Sequence, residues 1–165
     1  MKKRLLRLLA LLTVGCIGAL LFFSSSAGDT ERQTVILSRD ITMRDDGSQV
    51  VTDVRQAVPA PGDDQTVTGC KSYRLESATG ETIWNFTIYA TFAYGSGGPA
   101  VCTEAWYTYE INDSGWKLRS AEVTPSGDRA EAHAAMDFDF LIFTTYSMDV
   151  DLELKCSNTG MIGQY

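Results

Sequence analysis

Between Trp84 and Tyr94 nearly every second residue is apolar, and this alternation constrains the fold more than any other feature of the chain. The apolar positions are Trp84, Phe86, Ile88, Ala90, Phe92 and Tyr94, whereas Asn85, Thr87, Tyr89 and Thr91 lie between them. A period of two residues is typical of a β-strand with one buried face, and aromatic and β-branched residues favour the same structure. The sequence therefore predicts a strand whose even-numbered face lies in a core.

A glycine-rich break at residues 95–99 separates this strand from a second alternating run that ends at Ile111. One face of the second run carries Ala105, Tyr107, Tyr109 and Ile111. Two alternating runs joined by a short glycine-rich loop predict an antiparallel hairpin.

Shorter alternating runs, separated by turn signals, recur along the rest of the chain. We predict further strands at 34–39, 49–54, 66–77, 116–119, 130–136 and 147–157. Residues 137–146 are interpreted as a central strand or as a strand followed by a buried turn, and the tail 158–165 is expected to fray. The alanine-rich segment 130–136 would also suit a helix, but the closely spaced turns around it favour a strand.

Eight or nine short strands predict an all-β fold, an immunoglobulin-like β-sandwich of two antiparallel sheets. A closed β-barrel is the alternative, because its strands also alternate with a period of two and bury one face.

Residues 1–27 have the three parts of an export signal. Basic residues from Lys2 to Arg7 precede an apolar run that reaches Phe23, and small residues offer a cleavage site before Gly28. We expect a signal peptide at 1–27 and a single β-sandwich domain at 28–165, secreted or held on the extracellular face of the membrane. Two alternatives are an uncleaved N-terminal membrane anchor and lipidation at Cys16.

The chain is acidic, with a net charge of −7 that becomes more negative when the basic leader is removed. Such a surface repels nucleic acid and anionic membranes. We therefore expect no nucleic-acid partner, and membrane contact only through residues 1–27 if they are uncleaved. The expected partner is an unknown extracellular ligand, a glycan or a protein.

Three cysteines follow the leader, at Cys70, Cys102 and Cys156. Their spacing fits neither a Cys-x-x-Cys redox motif nor a zinc motif, and His133 is the only histidine in the chain. A Cys/His metal site and a Cys–His nucleophile are therefore disfavoured, and we predict no cofactor. Outside the cytoplasm we expect at most one intramolecular disulfide, and all three pairings are open.

Acidic residues alternate near the C-terminus at Asp149, Asp151 and Glu153, and Asp137 and Asp139 precede them. Carboxylates two positions apart on a strand lie about 7 Å apart and point the same way, without the loop that gathers calcium ligands. We interpret them as a solvated face, and we predict no metal site and no catalytic residue. An extracellular hydrolase that uses acidic residues is the alternative, although the sequence nominates no pair.

Two aromatic residues fall outside the apolar faces of the central hairpin, namely Tyr89 and Trp106. Exposed rings on a sheet can hold glycans or peptides, whereas a second sheet or a loop would simply bury them. We name Tyr89 and Trp106 as the candidate ligand-binding residues.

The alternation from Trp84 to Tyr94 is followed by Cys102, by Tyr109 and by the segments NDSGWK at 112–117, SGDRA at 126–130 and LKCSNTG at 154–160. In these features the chain resembles small secreted β-rich proteins of Gram-positive bacteria, a group with no established activity. The resemblance implies a β-rich exported domain and brings no catalytic residues. We predict a non-catalytic exported binding or interaction module, and a secreted bacteriocin-like protein is a third alternative.

Overall fold

The computed structural model describes residues 33–58, 65–95, 97–140 and 143–163. The predicted leader and most of the loop before the third strand lie outside the described residues. The nine strands are β1 Thr34–Met43, β2 Gln49–Ala57, β3 Thr66–Glu76, β4 Thr82–Ala93, β5 Val101–Ile111, β6 Trp116–Ser126, β7 Arg129–Phe140, β8 Phe143–Cys156 and β9 Ile162–Gly163. In this described part, no helix has the length and hydropathy needed to cross a membrane.

The strands form two antiparallel sheets, ordered β1-β2-β3-β4-β5 and β6-β7-β8-β9. Each strand pairs with its neighbour in sequence, so each sheet is a meander of hairpins, and the chain passes from one layer to the other between β5 and β6. The prediction of a two-sheet antiparallel sandwich is confirmed, because the described strands form two separate sheets and not one closed sheet. Its hairpin connections differ from the Greek-key connections of immunoglobulin domains.

The core lies between the even-numbered face of β4 and the facing side of the second sheet. Trp84, Phe86, Ile88 and Phe92 are each 0% exposed, as the alternation predicts. Small side chains at 130, 132 and 134 on β7 lie in the same core as these large rings. The alanine-rich segment is therefore a strand, because its small side chains leave the volume that the β4 rings fill.

The C-terminal part differs from the prediction in two respects. Residues 137–140 lie on a central strand, as one of the two interpretations expected, but they are the end of β7, and β8 already begins at Phe143, so the segment 137–146 is not an element of its own. The tail does not simply fray, since it supplies β9, and Ile162 is 4% exposed. The backbone N–H of Ile162 donates to Gln56 of the first sheet at 3.1 Å, and Ile162 packs so closely on Gly69 that a Cβ there would lie 2.9 Å from it.

Candidate functional site

One end of the sandwich contains a cavity of about 290 Å³ between the two sheets. Small-molecule sites generally span about 300–1,000 Å³, so this cavity suits a compact ligand. Its walls are mostly apolar and aromatic, and its charged groups, Arg44 and Asp46, come from the β1–β2 turn. The lining residues are Arg44, Asp46, Ser48, Leu75, Ile83, Trp116, Phe138, Tyr146 and Met148.

Three aromatic rings form a continuous row across the second sheet. Trp116 on β6 lies opposite Phe138 on β7, which lies opposite Tyr146 on β8. The Trp116 ring centroid is 5.5 Å from that of Phe138 and 6.0 Å from that of Tyr146, and the latter pair is nearly perpendicular at 85°. Tilted and edge-on contacts of this kind are favourable between aromatic rings, so the row is a preformed wall.

The position of Phe138 depends on Gly115, the residue before β6. A Cβ at position 115 would overlap the Phe138 ring, so glycine is needed for this close approach. The backbone N–H of Asp139 donates to the carbonyl of Gly115 at 2.8 Å and holds the two segments together. The turn before β6 therefore positions one side of the cavity.

Arg44 supplies the positive charge of the cavity. Its Nη2 donates to the Tyr146 hydroxyl at 2.7 Å, its Nη1 donates to the Met148 sulfur at 3.3 Å, and its guanidinium carbon lies 5.5 Å from the centre of the Tyr146 ring. The Tyr146 hydrogen bond is the main reason that the pKa of Arg44 is raised, so the side chain is charged at neutral pH. The Nε of Arg44 lies 3.9 Å from a carboxylate oxygen of Asp46, which is 63% exposed, so this ion pair is loose and screened by water. A guanidinium has five N–H donors, and those not used by Tyr146 and Met148 can still bind an anion.

The β1–β2 turn fixes Arg44 at the rim. Gly47 adopts a φ of 82°, which favours glycine, and its N–H donates to the Arg44 carbonyl at 3.0 Å. Asp46 accepts hydrogen bonds from the Ser48 hydroxyl and backbone N–H, and these lower the pKa of its carboxyl. A neighbouring depression of about 410 Å³ is lined by the four consecutive residues 43–46, whereas the cavity between the sheets has walls from both sheets and is better enclosed.

No family model, curated protein or solved structure matches this chain.

The structure brings together the two residues that the sequence nominated, on the outer face of the first sheet and apart from the cavity. Tyr89 and Trp106 lie directly opposite each other on β4 and β5, with ring centroids 5.3 Å apart and ring planes 8° apart. Trp106 is 37% exposed, and Tyr89 is half-buried. Because the rings stack on each other, one face of each is already covered. Their role in binding stays a prediction.

Three arginines surround Asp53 on the same outer face. Asp53 is 0% exposed and receives hydrogen bonds from Arg39 at 2.6 and 2.9 Å and from Arg55 at 3.1 Å, and Arg74 lies 3.9 Å away. The hydrogen bond from Arg39 is the main reason that the pKa of Asp53 is lowered. Arg74 also pairs with Glu76 at 2.6 Å. Because the arginine charges are already paired, we interpret this cluster as stabilising the sheet.

The remaining nominated residues do not converge on a site. The thiols of Cys70, Cys102 and Cys156 are free in this structure. Asp149 and Asp151 point outward, with side chains 62% and 83% exposed, as predicted for a solvated face. The same prediction is wrong for Asp137, which is 4% exposed and accepts a hydrogen bond from the Ser147 hydroxyl at 2.8 Å. Within the described ranges, no group of three or more histidine, cysteine or acidic side chains is arranged to hold a metal ion.

Sequence reasoning missed the cavity because its lining residues come from the β1–β2 turn and from strands β3, β4, β6, β7 and β8, which belong to both sheets. An available signal was the position of aromatic residues at strand ends, such as Trp116 at the start of the predicted strand 116–119. The other signal was Arg44, a cation directly before the Asp45–Ser48 turn.

Proposed function

We propose that this protein is a non-catalytic exported binding module, and that its ligand is a small apolar or aromatic molecule with an anionic group. The observation that carries the proposal is Arg44, whose guanidinium is fixed at the rim of an aromatic cavity. Export is inferred from the sequence of residues 1–27.

The apolar part of such a ligand would lie against the row formed by Trp116, Phe138 and Tyr146. Burying its surface supplies most of the affinity, at about 25 cal/mol per Å² of apolar area. The anionic group would face Arg44, where water still reaches the site because Tyr146 is 43% exposed. A partly solvated ion pair of this kind adds orientation and selectivity more than affinity.

The hydrolase alternative has less support from this geometry. A glycosidase, for example, needs two carboxyl groups that face each other across a cleft, about 5–9.5 Å apart. The described lining of the cavity contains one carboxylate, Asp46. Inhibition of bacterial growth by the purified protein would support the bacteriocin-like alternative. No feature of the described cavity favours it.

Titration with two probes tests the proposal. Naphthalene-2-carboxylate carries the anion and naphthalene-2-methanol does not, and binding of each is followed by calorimetry and by tryptophan fluorescence. We expect the carboxylate to bind more tightly, and Arg44→Gln to weaken its binding about tenfold, equivalent to about 1.4 kcal/mol, while the neutral probe is unaffected.

Two control variants make the result specific. Arg119→Gln removes a half-exposed arginine from the outer face of the second sheet, and it should leave both affinities unchanged. Trp106→Ala should also leave them unchanged; loss of binding in this variant but not in Arg44→Gln would move the site to the Tyr89–Trp106 pair. Failure of the parent protein to bind either probe at millimolar concentration would refute the cavity as the site.

A further inference from the structure

Cys102 and Cys156 are held by the same turn at the end of the sandwich opposite the cavity. The N–H of Cys102, on β5 of the first sheet, donates to the carbonyl of Gly127 at 2.7 Å. The N–H of Cys156, on β8 of the second sheet, donates to the carbonyl of Asp128 at 2.9 Å. Gly127 and Asp128 are consecutive residues of the β6–β7 turn, so this turn brings the two cysteine backbones close together.

Both side chains point into the space between the sheets. Cys102 is 9% exposed and Cys156 is 3% exposed, and both belong to the same apolar core. Burial, followed by the charge of Asp128 and then by the nearness of Cys102, raises the pKa of Cys156 to about 11. Both thiols therefore lie in one buried region beside the β6–β7 turn.

Cys70 lies on the other side of the first sheet. In the strand ladders Cys70 is opposite Arg55 and Tyr89, which are on the outer face, whereas Cys102 is opposite the core residue Phe92. A disulfide generally requires Cα atoms within about 4.4–6.8 Å and side chains that point toward each other. The backbone of the first sheet separates Cys70 from the other two thiols, so Cys70 cannot satisfy this condition.

We propose that Cys102 and Cys156 form an intramolecular disulfide that joins the two sheets, and that Cys70 remains a free thiol. The proposal does not depend on the ligand site described above.

The oxidant is a small-molecule or protein disulfide, which acts by thiol–disulfide exchange. One cysteine thiolate attacks the oxidant to give a mixed disulfide, and the second cysteine displaces the oxidant's remaining thiol as the Cys102–Cys156 bond forms. The two cysteines lose two protons and two electrons, and the oxidant is released as two thiols. Each cysteine sulfur gives up a weak contact with a backbone carbonyl, from Cys102 to Glu104 and from Cys156 to Ser157, both at 3.4 Å.

The bridge is expected to form during folding. The attacking species is a thiolate, and burial disfavours this form for both core cysteines. Because the two cysteines are 54 positions apart in the sequence, the bridge closes a long loop and restricts the unfolded chain. Loop closure of this length is expected to raise the melting temperature by about 5–15 °C.

Peptide mapping tests the pairing directly. The full chain is unfolded in guanidinium, refolded in a mixture of oxidised and reduced glutathione, alkylated, and digested with trypsin without reduction. Trypsin cleaves after Arg7, Arg32, Arg55, Lys71, Arg74, Lys117 and Lys155 and places the four cysteines, Cys16, Cys70, Cys102 and Cys156, on separate peptides. We expect mass spectrometry to show peptide 75–117 linked to peptide 156–165, and to show peptide 56–71 alkylated at Cys70.

Two variants extend the test to stability. Cys70→Ser should keep the linked peptides and should melt about 5–15 °C lower when reductant is added. The double variant Cys102→Ser/Cys156→Ser should melt at the same temperature with and without reductant. Recovery of Cys102 and Cys156 as separately alkylated peptides from the refolded parent, or linkage of either one to Cys70, would overturn the proposal.

Discussion

Replacing Asp53 with asparagine tests whether the arginine cluster on the outer face stabilises the first sheet. The carboxylate is 0% exposed and accepts two hydrogen bonds from Arg39 and one from Arg55. Asparagine keeps the shape of the side chain but removes the negative charge and turns one acceptor into a donor. The guanidinium groups would then lie together without their anion.

The size of this destabilisation depends on how deeply the arginine partners of Asp53 are buried. Removing one member of a fully buried ion pair costs about 3–5 kcal/mol. The side chains of Arg39 and Arg55 are 47% and 38% exposed, so water screens them once the carboxylate is gone. We therefore expect Asp53→Asn to lower the free energy of unfolding by about 2–3 kcal/mol at neutral pH.

The same substitution should change how stability depends on pH. In the folded protein the pKa of Asp53 is below its usual value, mainly because Arg39 donates to the carboxylate, whereas an unfolded aspartate titrates near 3.9. The native state therefore binds fewer protons than the unfolded state as the pH falls below about 5, and the stabilisation is lost progressively toward the folded pKa. The difference between the parent and Asp53→Asn should be constant above about pH 5 and should shrink at lower pH.

Urea denaturation followed by circular dichroism, with reductant present and at several pH values from about 3 to 7, measures both effects. Asp149→Asn is the matched control, because Asp149 is 62% exposed and is paired with Arg119 at 3.4 Å. Its expected effect is within about 0.5 kcal/mol. Equal stability of Asp53→Asn and the parent at pH 7, or a deficit that does not shrink in acid, would refute a stabilising role for the cluster.

Two further predictions concern the cavity wall and the single histidine. Gly115→Ala should lower the free energy of unfolding by about 1–3 kcal/mol, because its Cβ would overlap the Phe138 ring, whereas the control Gly98→Ala meets nothing within 4 Å and should be nearly neutral in urea denaturation. Equal effects of the two substitutions would contradict the close contact. The hydrogen bond that His133 Nδ1–H donates to the Asp151 carboxylate, at 2.7 Å, raises the pKa of the histidine, so an NMR titration should give a value above 6.5, and Asp151→Asn should lower it. The associated stabilisation is complete below pH 6.5 and is lost as the pH rises through the folded pKa; a His133 pKa that does not respond to Asp151→Asn would argue against this pair.

The fold was largely predictable because its core strands have one buried face and obey a period of two. Trp84, Phe86, Ile88 and Phe92 alternate in the sequence, and all four are buried. The same pattern on β8 places Leu152 and Leu154 in the core and Asp151 in solvent. Residues typical of turns, at 45–48 and 112–115, lie in two of the connections between the strands. A local sequence pattern is sufficient for these strands, because each residue is buried or exposed according to the face of the sheet on which it lies.

The period of two residues does not predict the structure of segments in which the residues do not alternate between a buried and an exposed face. In the segment 137–146 the alternation ends in a continuous apolar run, so the hairpin between β7 and β8 was not recognised. The tail was misread for a similar reason, because the segment that supplies β9 is too short to show a period.

The candidate site depends on strand register, which is set by pairing between distant segments. Trp116, Phe138 and Tyr146 are irregularly spaced in the sequence, yet the ladders of β6, β7 and β8 place them side by side. A slip of one residue in either ladder would turn one ring to the opposite face and break the row. Arg44 comes from the other sheet, so its position over Tyr146 requires both sheets to be packed. For a sandwich of this kind, a binding surface is found by reading across paired strands, because the residues that form it share a row and not a sequence motif.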